Sequence, residues 1–299
     1  MDDRDRPSTR RARWLAVCGA LGISLAAIFF RQSGASPATG TLFRAVYAWP
    51  LLAWLARRQA LPLSTRALAV GGGVLFGADL LCWHAAIDRI GAGLATVMAN
   101  TQVVWVGLGA WVIAGERTPP RALAVLPLLV GGVVLLAGVG DRDAFGRAPL
   151  VGTLLGLAGA LTYAAYLLIH RRACRGSSWP LAQLRDVTLG VGLIAAAAGL
   201  GAVDPQFSLS PQWPMHGWLL ALALVVQVGS WLAVSASLPH LPALETSTLL
   251  LLQPVGTLLW STLLLRETPS WRQGLGALWV LVALAIVQLR PSKQDGRRT

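Results

Sequence analysis

LLQPVGTLLWSTLLLRETP, residues 251–269, opens on Gln253 and Pro254 inside an apolar run and closes on Arg266, Glu267, Thr268 and Pro269. The same plan stands 151 positions earlier, where Gln102 begins a run that ends GAWVIAGERTP at residues 109–119. At this offset Ala92 falls on Ala243, Thr96 on Ser247, Val104 on Val255 and Glu116 on Glu267; after a one-residue gap, Thr118–Pro119 meets Thr268–Pro269. The correspondence reaches further back. SGASP at 33–37 and GSSWP at 176–180 each follow an apolar run and precede an arginine, Arg44 and Arg185. Two related halves are expected.

The surroundings decide what kind of halves they are. Of the 299 residues, 55% are hydrophobic and 13% charged, and the mean hydropathy is +0.60, against a charged share of about 25% in soluble domains. This is the composition of a membrane protein. The formal net charge of +12 comes from arginines that punctuate apolar runs instead of clustering on one polar face, so no nucleic-acid partner is expected. Cys18, Cys82 and Cys174 have neither disulfide-frame nor metal-site spacing. No Walker loop, HExxH, GxSxG or metal-spaced cluster occurs, so neither an enzyme nor a cofactor is expected.

A spanning helix takes about 20 apolar residues, fewer when its flanks snorkel. Ten runs qualify: 14–30, 40–56, 67–87, 92–114, 120–139, 150–169, 181–203, 215–237, 242–265 and 271–289. The first follows a basic stretch and looks like a signal peptide, but with so many later spans it reads as an uncleaved helix. The expected fold is an all-α integral membrane protein with ten transmembrane helices in two five-helix repeats. The repeats cover 14–140 and 150–290, between a basic tail at 1–13 and a tail at 291–299. Most of the 25 Lys and Arg fall in the tails and in the loops that share their side, including Arg57, Arg58, Arg66, Arg171 and Arg172. Both termini are therefore expected in the cytoplasm, in the cell's inner (plasma) membrane. Five helices per repeat is odd, so the second half is inverted. That architecture belongs to alternating-access carriers with a site near the midplane.

Ionisable groups inside lipid are expensive and need a reason. In LFGADLLCWHAAIDRIG, residues 75–91, Asp79 and His84 are such groups. With 1.5 Å rise per residue, Asp79 lies about 3 Å, Arg44 about 6 Å and His84 about 10 Å outside the midplane. Asp79 and His84 are about 140° apart around their helix, so they do not face one cavity together. Asp79 is either a cavity-facing proton-coupling group or half of a permanent ion pair with Arg44. His84 is a relay or gate, or a histidine at the wet end of a helix bonded to Asp88 or water. Gln102 and Gln253, matched by the repeat, either bind the polar part of a substrate or serve as interhelical glue. Trp105, three residues after Gln102, shares its face; Tyr163 and Gln227 are further cavity candidates, while Asn100 lies about 160° from Gln102 on a continuous helix. Glu116, Glu245 and Glu267 are helix-end charges, as gate latches or caps. Small-residue faces such as Gly152–Gly156–Ala160 serve helix packing or a homodimer.

The ends GAWVIAGERTP and LLQPVGTLLWSTLLLRETP resemble the fourth and ninth helices of the EamA family of the drug/metabolite transporter superfamily, and Arg44 also fits the family pattern. The resemblance covers nearly the whole chain. It implies a ten-helix carrier with a central cavity, commonly an exporter of small metabolites such as amino acids. One departure is that Gln102–Val103 stands where the second half has Gln253–Pro254. The function expected is secondary transport, outward, of a small polar or amphipathic, amino-acid-like substrate, with proton coupling at Asp79. An importer or channel-like permease is the alternative, and an intramembrane enzyme or scaffold a more distant one.

Overall fold

The computed structural model describes residues 9–114, 124–174, 180–237, 249 and 252–289, and every regular element among them is helical. In chain order these are α1 (Thr9–Ser24), α2 (Ala26–Ser33), α3 (Pro37–Leu55), α4 (Leu63–Ile90), α5 (Ala92–Ala99), α6 (Gln102–Ala114) and α7 (Leu126–Leu136). The second half contributes α8 (Pro149–Cys174), α9 (Pro180–Leu200), α10 (Met215–Ala221), a π-helical stretch over Leu222–Ser230, α11 (Trp231–Ser237), α12 (Leu252–Leu265) and α13 (Trp271–Leu289).

Five stretches are long and apolar enough to cross a membrane: Arg10–Ser33, Leu63–Ile90, Pro149–Ile169, Leu181–Leu200 and Met215–Val234. Leu126–Leu136, Leu252–Leu265 and Trp271–Ile286 are shorter apolar helices. Helix occurs in each of the ten runs expected from the sequence, but not as ten uniform rods. The run 92–114 is divided at Asn100–Thr101, where Thr101 N–H bonds to Met98 O at 3.0 Å and Val104 N–H to Thr101 O at 3.0 Å in a tightened turn. The first run is divided at Leu25. Its loosened carbonyl at Ser24 is satisfied from the other half of the chain, by the Thr257 hydroxyl at 2.8 Å.

The long α4 lies between α8 and α9, and α9 also packs on α3. Lipid tails are as apolar as leucine, so helices associate in a membrane through close packing more than through the hydrophobic effect. The small residues supply that closeness. A Cβ on Gly73 would stand 2.1 Å from the Val187 carbonyl, and one on Gly190 would stand 2.8 Å from Gly73 Cα. Thus α4 and α9 touch backbone to backbone. Gly132 of α7 and Gly276 of α13 meet in the same way. The expected face Gly152–Gly156–Ala160 is used within the chain, with Gly152 against Ile90 and Gly156 against Met98.

At its end α4 stops on Gly91, whose φ of 85° is unfavourable for any residue with a Cβ. The Glu267 carboxylate fills the space that a Cβ there would need. It accepts hydrogen bonds from Ala92 N–H at 2.7 Å and Gly93 N–H at 3.1 Å. Glu267 is therefore the N-terminal cap of α5, delivered from 175 residues away. Glu116 and Glu245 lie outside the described residues.

Candidate functional site

The interruptions in the helices converge. Around the divided runs the structure encloses a cavity of about 330 Å³, lined by residues of α1 through α6, α8, α11 and α12. Its volume lies at the lower end of the range typical of small-molecule sites. The polar lining is Arg44, Asp79, Thr96, Asn100, Gln102, Tyr163 and Gln253, set among apolar side chains that include Phe76, Trp83 and Trp231.

Arg44 enters from α3 and is almost fully buried. Its Nε donates to Gln227 Oε1 at 2.8 Å, while Gln227 Nε2 donates to the Thr188 hydroxyl at 3.2 Å. Gln227 sits in the π-helical stretch and holds the guanidinium from behind, without lining the cavity. π-helical turns recur at functional sites because they turn a side chain off the regular helix face. Arg44 and Asp79 line the same cavity and lie in each other's electrostatic field. Among the described ion pairs none joins them within 4.0 Å.

Three buried polar atoms on the wall have no hydrogen-bond partner: Asp79 Oδ1, Trp83 Nε1 and Gln102 Oε1. Unsatisfied buried groups cost about 1–3 kcal/mol each, and all three atoms are buried behind the cavity surface, not exposed on it. Asp79 Oδ1 fits against α8 because residue 159 is glycine; a Cβ there would come within 2.9 Å of it.

His84 is not at a wet helix end. It is fully buried and stacked on Phe30 with ring centroids 3.8 Å apart, and its Nδ1 lies 2.8 Å from Thr41 Oγ1. The same Thr41 hydroxyl lies 2.8 Å from Pro37 O. Asp88, the partner considered for His84, instead pairs with Arg31 at 3.3 Å.

Gln102 and Gln253 both reach the cavity, one from each half. Trp105 does not line it, although its Nε1 is also buried without a partner. The tightened turn at Asn100–Thr101 separates the orientation of Gln102, the first residue of α6, from that expected of an unbroken helix. For the same reason Asn100, set about 160° from Gln102 by wheel arithmetic, lines the cavity beside it. Trp83 was missed, though its signal was readable: Phe76, Asp79, Leu80 and Trp83 follow the i, i+3, i+4, i+7 spacing of one helix face.

An all-helical membrane protein with a cavity at its helix interruptions, lined by apolar side chains and a few polar ones, has the form of a transporter. The chain belongs to the EamA-like transporter family, whose family model matches residues 150–289. It is 31% identical over 94 residues to a Salmonella enteritidis PT4 protein described as "Probable 4-amino-4-deoxy-L-arabinose-phosphoundecaprenol flippase subunit ArnE", a match covering 27% of this chain and 81% of that protein. The protein of the same description from Salmonella paratyphi B is 32% identical over 63 residues, covering 21% of this chain and 57% of its own. A solved structure, described only as the crystal structure of a protein, superposes with a TM-score of 0.60 at 20% identity, over 93% of this chain and 96% of that one. The chain is thus a multi-pass membrane transporter and not an enzyme.

Proposed function

We propose that the chain is a secondary carrier exporting a small zwitterionic, amino-acid-like metabolite across the plasma membrane, and that the 330 Å³ cavity is its substrate site. The observation that carries this reading is that the Asp79 carboxyl, the Gln102 amide and the Arg44 guanidinium line one cavity. Two acceptors and a cation are complementary to a ligand bearing both an ammonium and a carboxylate. Phe76, Trp83, Tyr163 and Trp231 offer aromatic surface to its apolar part. A cavity of this volume does not enclose a polyprenyl chain, which favours a free metabolite over the lipid-linked sugar in the flippase subunit's description.

The carrier works by alternating access between two inverted five-helix repeats, 14–140 and 150–290, with both termini in the cytoplasm. The matched residues Gln102 and Gln253, now on one cavity, support the repeat, and the distribution of arginine supports the orientation. Discontinuous helices around a central site are the recurring construction of such carriers. Proton coupling runs through Asp79. Burial and a neighbouring guanidinium pull a carboxylate's proton affinity in opposite directions, and substrate arriving between them changes that balance.

The test compares metabolites outside cells expressing wild type, Asp79→Asn or empty vector, at equal membrane expression. A zwitterionic metabolite enriched by wild type alone is expected. Equal enrichment by wild type and Asp79→Asn removes Asp79 from the transport path, and no enrichment by either removes the export reading.

A further inference from the structure

A second and larger cleft, of about 800 Å³, lies on the other side of α4 from the cavity and shares no lining residue with it. Apolar side chains of α2, α4 and α8, namely Phe30, Leu81 and Leu155, line its depth together with Ala198 of α9. The same flanking helices carry exposed apolar residues, Leu154, Leu193 and Leu200. At the Ile90 end of α4 the cleft is closed by three arginines from separate parts of the chain: Arg31, Arg89 and Arg147.

This convergence is built. Gly146 takes a φ of 112° and lies so close to the Arg89 carbonyl that a Cβ would stand 2.3 Å from it, while Ala148 N–H bonds to the same carbonyl at 3.4 Å. The loop thereby holds the backbone at Arg147 against that at Arg89, and both side chains line the cleft. Asp88 engages Arg31 at 3.3 Å and lies within electrostatic reach of Arg89 and Arg147 as well. The other acidic residue of the cleft, Asp204, is occupied by Ala38 N–H at 2.8 Å and Gln206 N–H at 3.1 Å. Arg89 donates to the Ala85 carbonyl at 2.7 Å, a neutral acceptor. Three arginines against two carboxylates leave the cleft a net positive charge beside an apolar trough, which favours an anion with an apolar tail.

We propose that this cleft binds an anionic phospholipid, with its headgroup phosphate between Arg89 and Arg147 and an acyl chain along Phe30, Leu81 and Leu155. Basic pockets between transmembrane helices take lipid headgroups elsewhere by the same physics. The site stands independently of the cavity and of its cargo.

The experiment measures lipid retained by the purified full chain, by native mass spectrometry, after exposure to phosphatidylglycerol or phosphatidylcholine. Wild type is expected to retain phosphatidylglycerol preferentially. Arg89→Gln/Arg147→Gln is expected to lose that preference, by about fivefold per arginine removed, and Arg89→Lys/Arg147→Lys to keep it. Arg57→Gln/Arg58→Gln removes the same charge at the other end of α4 and is expected to retain lipid as wild type does. Three results would overturn the proposal: equal retention of the two lipids by wild type, equal loss in both glutamine double variants, or displacement of the lipid by millimolar inorganic phosphate, which would make the site one for free anions.

Discussion

At the scale of single residues, the packing of α4 and α5 on α8 depends on what is absent. Asp79 Oδ1 occupies the position that a Cβ at residue 159 would crowd at 2.9 Å. Gly156, one turn earlier on α8, leaves room in the same way for Met98, whose own Cβ a Cβ at residue 156 would approach at 2.7 Å. Alanine at either position overpacks an interface, and such changes cost about 1–3 kcal/mol. Their effects on transport should separate. Gly159→Ala displaces the Asp79 carboxylate and is expected to reduce export several-fold, whereas Gly156→Ala is expected to lower the thermal midpoint comparably and leave export per folded molecule near wild type. Export at equal membrane expression, read beside thermal midpoints in detergent, distinguishes the two. Equal loss of export in both variants would reduce Gly159 to a packing residue.

The element scale explains which parts of the architecture were readable in the sequence. The apolar runs at 67–87 and 181–203 became the long helices α4 and α9, because continuous hydrophobicity and small-residue faces constrain both length and packing. The interruptions were not readable. Asn100–Thr101 contains neither proline nor glycine, and its tightened turn is stabilised by tertiary surroundings that no local pattern encodes. Wheel arithmetic carried across that turn misplaced Asn100 and Trp105, while the same arithmetic on unbroken α4 correctly separated Asp79 from His84. Glu267 shows the same division between visible position and hidden partner. Its place at a helix end was visible, but its role as cap of α5 depends on a contact between distant parts of the chain. Glu267→Ala removes both acceptors from the first amides of α5, and losing an N-cap costs about 0.5–2 kcal/mol. The expected outcome is a lower thermal midpoint with faster hydrogen exchange at Ala92–Ala95, confined to that helix. Unchanged exchange there would mean that Gly91 and the packing of α5 on α12 suffice without the carboxylate.

At the scale of the whole molecule, the proposed repeat becomes a statement about motion. The cavity draws its wall from both halves of the chain, Asp79 and Gln102 from the first and Tyr163 and Gln253 from the second. If the halves rock against each other, a group on that wall meets one side of the membrane at a time. A substrate shifts such an equilibrium only by its difference in affinity for the two states. A Gln102→Cys variant, with Cys18, Cys82 and Cys174 replaced by alanine, reads this in sealed vesicles with a membrane-impermeant maleimide applied to one face or the other. For a carrier, the substrate identified by export is expected to raise the labelling rate from one face and lower it from the opposite face. Protection equal from both faces would indicate simple occlusion of Gln102 by bound substrate without rocking. Rapid labelling from both faces, unaffected by substrate, would describe a continuous aqueous path and make the protein a channel.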